Sequence, residues 1–208
     1  MMTCHALNYL SALLMFFYAM SSVIAAPLRA DSDNAVSERD VPTSVCTTID
    51  TGILKTSLVP YSTAPHLHFV KNTLSFGGHL TVEFQSCQPN FGHYDGSAYD
   101  IHLTGGHLFV PSTGLCLTAK SLVDGPPFQF EEATCEYTDD SRQTFQQFVR
   151  QDDGIIYYAG NSQADGSTVF FGDQCALGQF GIDRTQTSGT VEFQCTNIET
   201  TIGIRLNP

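Results

Sequence analysis

CLTAKSLVDGPPFQFEEATC, residues 116–135, holds two cysteines 19 positions apart. It opens on a cysteine in a short apolar segment, passes the turn signal VDGPP, and returns through Phe128 and Phe130 to a second cysteine. Asp-Gly followed by proline punctuates a chain. Apolar residues at every second position read as a half-buried strand. The stretch therefore predicts two neighbouring strands clipped by a disulfide. CALGQFGIDRTQTSGTVEFQC, residues 175–195, has the same layout with a loop one residue longer. Its closing VEFQC (191–195) nearly repeats VEFQSC (82–87), and PFQFEEATC (127–135) is a looser version. The three phrases read as the same strand in three copies of one unit. On that reading cysteines pair within each copy: Cys46 with Cys87, Cys116 with Cys135 and Cys175 with Cys195. Closing loops of this size stabilises by about 3 kcal/mol each in the chain-entropy account.

The rest of the sequence after residue 45 has the same texture. HLHFV (66–70), HLTVEFQSC (79–87), IHLTGGHLFV (101–110), FQFEE (128–132), IIYY (155–158) and TVFFG (168–172) alternate over short runs. FGG, HYDGS, PSTG, VDGPP, QDDG, NSQADGS and TSGT separate them as turns. No sustained apolar stripe of helical period occurs, and DSRQTFQQF (140–148) has room for one helical turn at most. Many short strands at regular spacing predict an all-β barrel or sandwich.

Residues 1–26 hold no Asp, Glu, Lys or Arg and end in small residues, the pattern of a secretory signal peptide. Residues 27–44 are polar and poor in aromatics, and read as a flexible leader or pro-segment with Arg29 and Arg39 as processing points. Residues 45–208 form the predicted single domain. All 21 acidic and 9 basic residues follow residue 26, so the net charge of −12 belongs to the exported part. That charge excludes a nucleic-acid binder, which needs a basic face. Of seven cysteines, Cys4 leaves with the signal, and the remaining six read as three disulfides in an oxidising compartment.

GLCLTA (114–119), then Cys135, then QTFQQFVRQDDGIIYYAG (143–160) resembles the ricin-B-type lectin repeat of the β-trefoil family. The resemblance implies three four-stranded repeats closing into a six-stranded barrel capped by three hairpins. It covers residues 106–160 best. The family's Gln-x-Trp becomes Gln143-x-Phe145 or Gln146-x-Phe148, the second having the better distance to Gly154, and the chain contains no Trp. Sugar-binding members carry an Asp after the Cys-Leu strand and a ring near the second cysteine. Here Thr118, Leu177 and Thr48 take the first position, and Ala133 precedes Cys135 by two. The resemblance thus implies the fold without the family's sugar pocket.

Other residues carry groups capable of chemistry. His66 and His68 share one strand face, which suits two metal ligands, but a solvated face with Leu67 inward is the better reading. His79 and His93 are scattered, and His102 and His107 flank TGG, read as a hairpin turn. Glu131 and Glu132 point to opposite strand faces and cannot form one glycosidase pair. The pairs Asp139, Asp140 and Asp152, Asp153 lie in turn-like sequence. No nucleophile elbow or phosphate loop is present. Of Tyr157 and Tyr158 one ring should face the core and one solvent, and Tyr61, Tyr94, Tyr99 and Tyr137 are further polar-tipped rings. Tyr158 with Asn161, Gln163 and Asp165 forms the expected ligand platform.

These observations predict a secreted, monomeric, non-enzymatic binding module, extracellular or of the cell wall. Glycan or cell-wall polysaccharide is the expected partner. No cofactor, metal, nucleic acid or membrane contact after signal cleavage is expected. Two other functions fit: a structural or interaction protein of the matrix or wall, and a protease inhibitor presenting VDGPPF (123–128).

Overall fold

The computed structural model describes residues 43–58, 60–95, 102–160, 179–195 and 200–207. The expected signal peptide, nearly all of the leader, Cys175, TVFFG and NSQADGS lie outside them. Thirteen strands are described: β1 (Val45–Thr56), β2 (Leu67–Val70), β3 (Thr73–Phe76), β4 (Thr81–Gln88), β5 (Leu103–Val110), β6 (Leu115–Ala119), β7 (Phe130–Ala133), β8 (Phe148–Gln151), β9 (Ile156–Tyr158), β10 (Phe180–Asp183), β11 (Phe193–Cys195), β12 (Thr201–Ile202) and β13 (Ile204–Asn207). The one-turn segment foreseen at 140–148 is a 3-10 turn, Ser141–Phe145, capped by the Asp140 carboxylate.

Six strands close a barrel. The ring runs β1–β4–β5–β8–β9–β13 and back to β1, every neighbour antiparallel. Closure leaves no unpaired edge in the ring. Three hairpins, β2–β3, β6–β7 and β10–β11, each lie in sequence between two ring strands. They also hold one another. Phe128 and Phe193 exchange backbone hydrogen bonds of 2.7 and 2.9 Å, Val191 N donates to Leu74 O, and Phe76 N donates to Gly189 O. Glu132 N donates to the Asn72 side chain, and Lys120 Nζ to Thr73 Oγ1.

Period-two alternation explains how the ring fills. Val82 and Phe84 of β4 and Leu108 and Val110 of β5 are buried in the main core, while the alternate positions Glu83 and Gln85 are only half-buried. The core is aromatic. Phe130 sits 5.5 Å from Phe148, 4.9 Å from Tyr158 and 4.8 Å from Phe193, ring centre to ring centre. Each such side chain is worth roughly 1.5–3 kcal/mol of burial, so Phe serves here without tryptophan.

The equivalence of the three Phe-bearing phrases needs correction. Residues 127–135 and 191–195 do correspond, since both supply the second strand of a hairpin and meet at Phe128 and Phe193. VEFQSC instead lies in β4, a ring strand between β1 and β5. The disulfides differ accordingly. Cys46–Cys87 joins directly opposed residues of β1 and β4, with Cα atoms 4.0 Å apart. Cys116–Cys135 joins β6 to the residues just past β7. Both pairs are the expected ones, at non-equivalent places. Cys195 is also disulfide-bonded, and Cys175, its expected partner, is outside the described residues.

Two further readings are corrected. TGG is the interior of β5, not a turn. A Cβ on Gly106 would stand 2.0 Å from Gln85 O, and one on Gly105 would stand 2.8 Å from Asn90 Oδ1, so glycine is required for close approach. The ordered domain also starts before residue 45. Thr43 bridges Thr138, and Ser44 N donates to Tyr137 O at 2.6 Å.

Candidate functional site

Gln85 of β4 and His107 of β5 are directly opposed. They lie on the face away from Phe84 and Leu108, because each is one residue along its strand. That outer face is covered by the chain after Cys135. The Tyr137 ring lies almost parallel over His107, with centres 5.6 Å apart and planes at 7°, and its hydroxyl reaches Gln85 Oε1 at 3.3 Å. His107 is only 2% exposed, and its buried Nδ1 has no hydrogen-bond partner. Burial pulls the imidazole down from 6.5 to about 4, against the opposing pull of the nearby Glu136 carboxylate. Burial also pushes the Tyr137 phenol up.

Two buried glutamines fasten this cover. Gln146 Oε1 accepts from Glu136 N, and Nε2 donates to Thr118 Oγ1 and Thr134 O, all at 2.8 Å. Gln143 Nε2 donates to Ser44 Oγ at 2.7 Å, and its Oε1 accepts from Phe91 N at 2.9 Å. An amide that bridges three elements specifies their mutual placement, because each bond it loses leaves a buried group unpaired. The two phenylalanines of the Gln-x-Phe readings differ in burial. Phe148 is fully buried, whereas Phe145 is 37% exposed.

Charged groups rim the covered face. Glu136 accepts from Thr138 N and Oγ1 and lies 3.7 Å from Arg142 Nε. Asp140 accepts from Arg142 N at 2.8 Å and from its guanidinium at 2.7 Å. The Arg142 hydrogen bonds hold the Asp140 carboxyl below the usual range. The result is a half-exposed aromatic ring whose chain neighbour Glu136 is linked through Arg142 to Asp140. Such a surface offers donors and acceptors for hydroxyl groups around an apolar ring face.

No protein-family model matches the chain, and no curated protein matches it.

Of the residues expected at a ligand site, only Tyr158 is among the described residues. Tyr158 is fully buried in the aromatic core and its hydroxyl donates to Thr144 O at 2.6 Å, so it has no face to offer a ligand. Burial drives its phenol well above the ordinary value. Tyr157 is the half-buried member of that pair. Asn161, Gln163 and Asp165 lie outside the described residues. Thr118 is buried and engaged by Gln146, and Thr48 donates to Glu83 Oε2 at 2.7 Å, so neither replaces a sugar-binding Asp. Leu177 is outside the described residues, and Ala133 pairs with Cys116.

His107, expected beside a turn, is instead the buried residue beneath Tyr137. His66 and His68 flank the fully buried Leu67, and no group of three or more His, Cys, Asp or Glu among the described residues is arranged for a metal. Glu131 and Glu132 lie opposite Thr118 and Leu117 in consecutive pairs, and Glu132 accepts from Thr113 Oγ1. Asp153 closes its turn by accepting from Ile155 N. In VDGPPF, Val123 is 81% exposed between the buried Leu122 and Phe128, and Gly125 N donates to Leu122 O. Val123 is thus presented at the tip of a turn. The sequence reading passed over Tyr137 as a site residue. The available signal was its place among the polar-tipped rings, two residues after Cys135.

Proposed function

We propose that this chain is a secreted, non-enzymatic binding module on a β-trefoil of three pseudo-repeats, related to the ricin-B-type lectin-like proteins. In this reading each repeat is a ring strand, a hairpin and a second ring strand: β1 to β4, β5 to β8, and β9 to β13. Two disulfides suit an oxidising, extracellular setting. The ligand is a polyhydroxylated polymer, a glycan or cell-wall polysaccharide, bound without cofactor or metal.

The observation that carries the ligand reading is the Tyr137 ring. One face is backed by His107, its hydroxyl meets Gln85 Oε1, and the preceding residue, Glu136, pairs with Arg142. A ring held flat by a neighbour loses little entropy when a sugar stacks on it. The test is a glycan array followed by pull-down on insoluble polysaccharides. Wild-type protein should retain a defined polysaccharide, and Tyr137→Ala should lose at least tenfold in affinity while Phe145→Ala keeps it. No retention by folded wild-type protein would leave the structural or interaction role in its place.

A further inference from the structure

The first hairpin gathers three imidazoles. His66 forms an isolated bridge to Lys55, and His68 follows two residues later in β2, on the same strand face. His79 comes after β3 and the Gly77, Gly78 turn. The ring centres of His66 and His79 are 4.3 Å apart with planes at 62°. His68 packs on the turn that carries His79: a Cβ on Gly78 would stand 2.6 Å from His68 Cγ. The buried Nδ1 of His68 has no partner. Gly78 also has φ +55, so glycine is needed there on two counts.

We propose that His66 and His79 together bind one divalent transition-metal ion, with His68 as the positioning residue behind the turn. Two imidazoles on one ion, with metal–nitrogen bonds of about 2.0–2.1 Å at near right angles, bring their ring centres to roughly 4.5 Å. The observed 4.3 Å between ring centres is close to that value. Two nitrogen donors without a carboxylate select Cu²⁺, Ni²⁺ or Zn²⁺ over Mg²⁺ or Ca²⁺. Solvent fills the remaining positions, because the protein supplies only two donors. The net charge of −12 raises the local concentration of cations around the molecule.

Calorimetric titration of the secreted full-length protein with CuSO₄, NiCl₂, ZnCl₂ and MgCl₂ tests this. One saturable site is expected, tightest for Cu²⁺ and absent for Mg²⁺. His66→Gln and His79→Gln should each weaken Cu²⁺ binding at least tenfold, His93→Asn should leave it unchanged, and His68→Gln should weaken it less than either. Binding that survives His79→Gln, an exposed position, or that His93→Asn removes, overturns the proposal. Absence of any binding does so as well, and reduces the His66–His79 contact to ring packing.

Discussion

Replacing His107 with Phe should make the protein more resistant to acid. The imidazole is buried and stacked on Tyr137, and its Nδ1 makes no hydrogen bond, so a phenyl ring of similar shape loses no bond at that atom. Its ionisation falls from 6.5 to about 4 on folding because burial disfavours the cation. The unfolded chain therefore binds more protons between those values, and stability rises with pH there. The histidine carries no penalty above about pH 6.5. The cost grows as pH falls, to about 2 kcal/mol at pH 5 and about 3 kcal/mol at pH 4, and levels off below. For a domain of this size each kcal/mol moves Tm by roughly 2–4 °C. Urea unfolding of oxidised wild-type and H107F protein, at half-unit steps from pH 4 to 7.5, reads the difference directly. The curves should run together near neutrality and separate toward acid, with H107F above. Parallel curves across the whole range would refute the claim that His107 is buried neutral, and with it the seating of Tyr137 over β4 and β5.

The glutamine fastening predicts an asymmetry between neighbours. Gln146→Ala should cost about 3 kcal/mol in urea unfolding, since Glu136 N, Thr134 O and Thr118 lose their partner, whereas Phe145→Ala should stay within about 0.5 kcal/mol. Tyr158→Phe should destabilise by about 1–2 kcal/mol by leaving Thr144 O unpaired, with polysaccharide retention unchanged. Reduced retention in that variant at matched folding would return Tyr158 to the ligand surface.

Alternation and turn chemistry determined the strand content on their own. HLHFV, FQFEE and IIYY became β2, β7 and β9 because period-two patterning and Gly- or Asp-rich turns act locally. The Cys116–Cys135 pair was legible for the same reason, since two strands joined by a short loop must lie side by side. Gln146 and Phe148 were legible only as a pattern, and the structure supplied what the amide holds.

Tertiary structure decided the rest. VEFQSC and VEFQC share a string because Val-x-Phe suits any strand with one buried face. Whether that strand joins the ring or a hairpin depends on its partners, β1 and β5 for one and β10 for the other. TGG looked like a turn because glycine is permissive, while the reason for it is Gln85 O pressing on β5 from a neighbouring strand. Tyr137 and Tyr158 are the same residue type in similar β-rich sequence. One lies over His107 at the surface and the other fills the core, because burial is set by which strands close over a side chain, and that closure is a property of the whole ring.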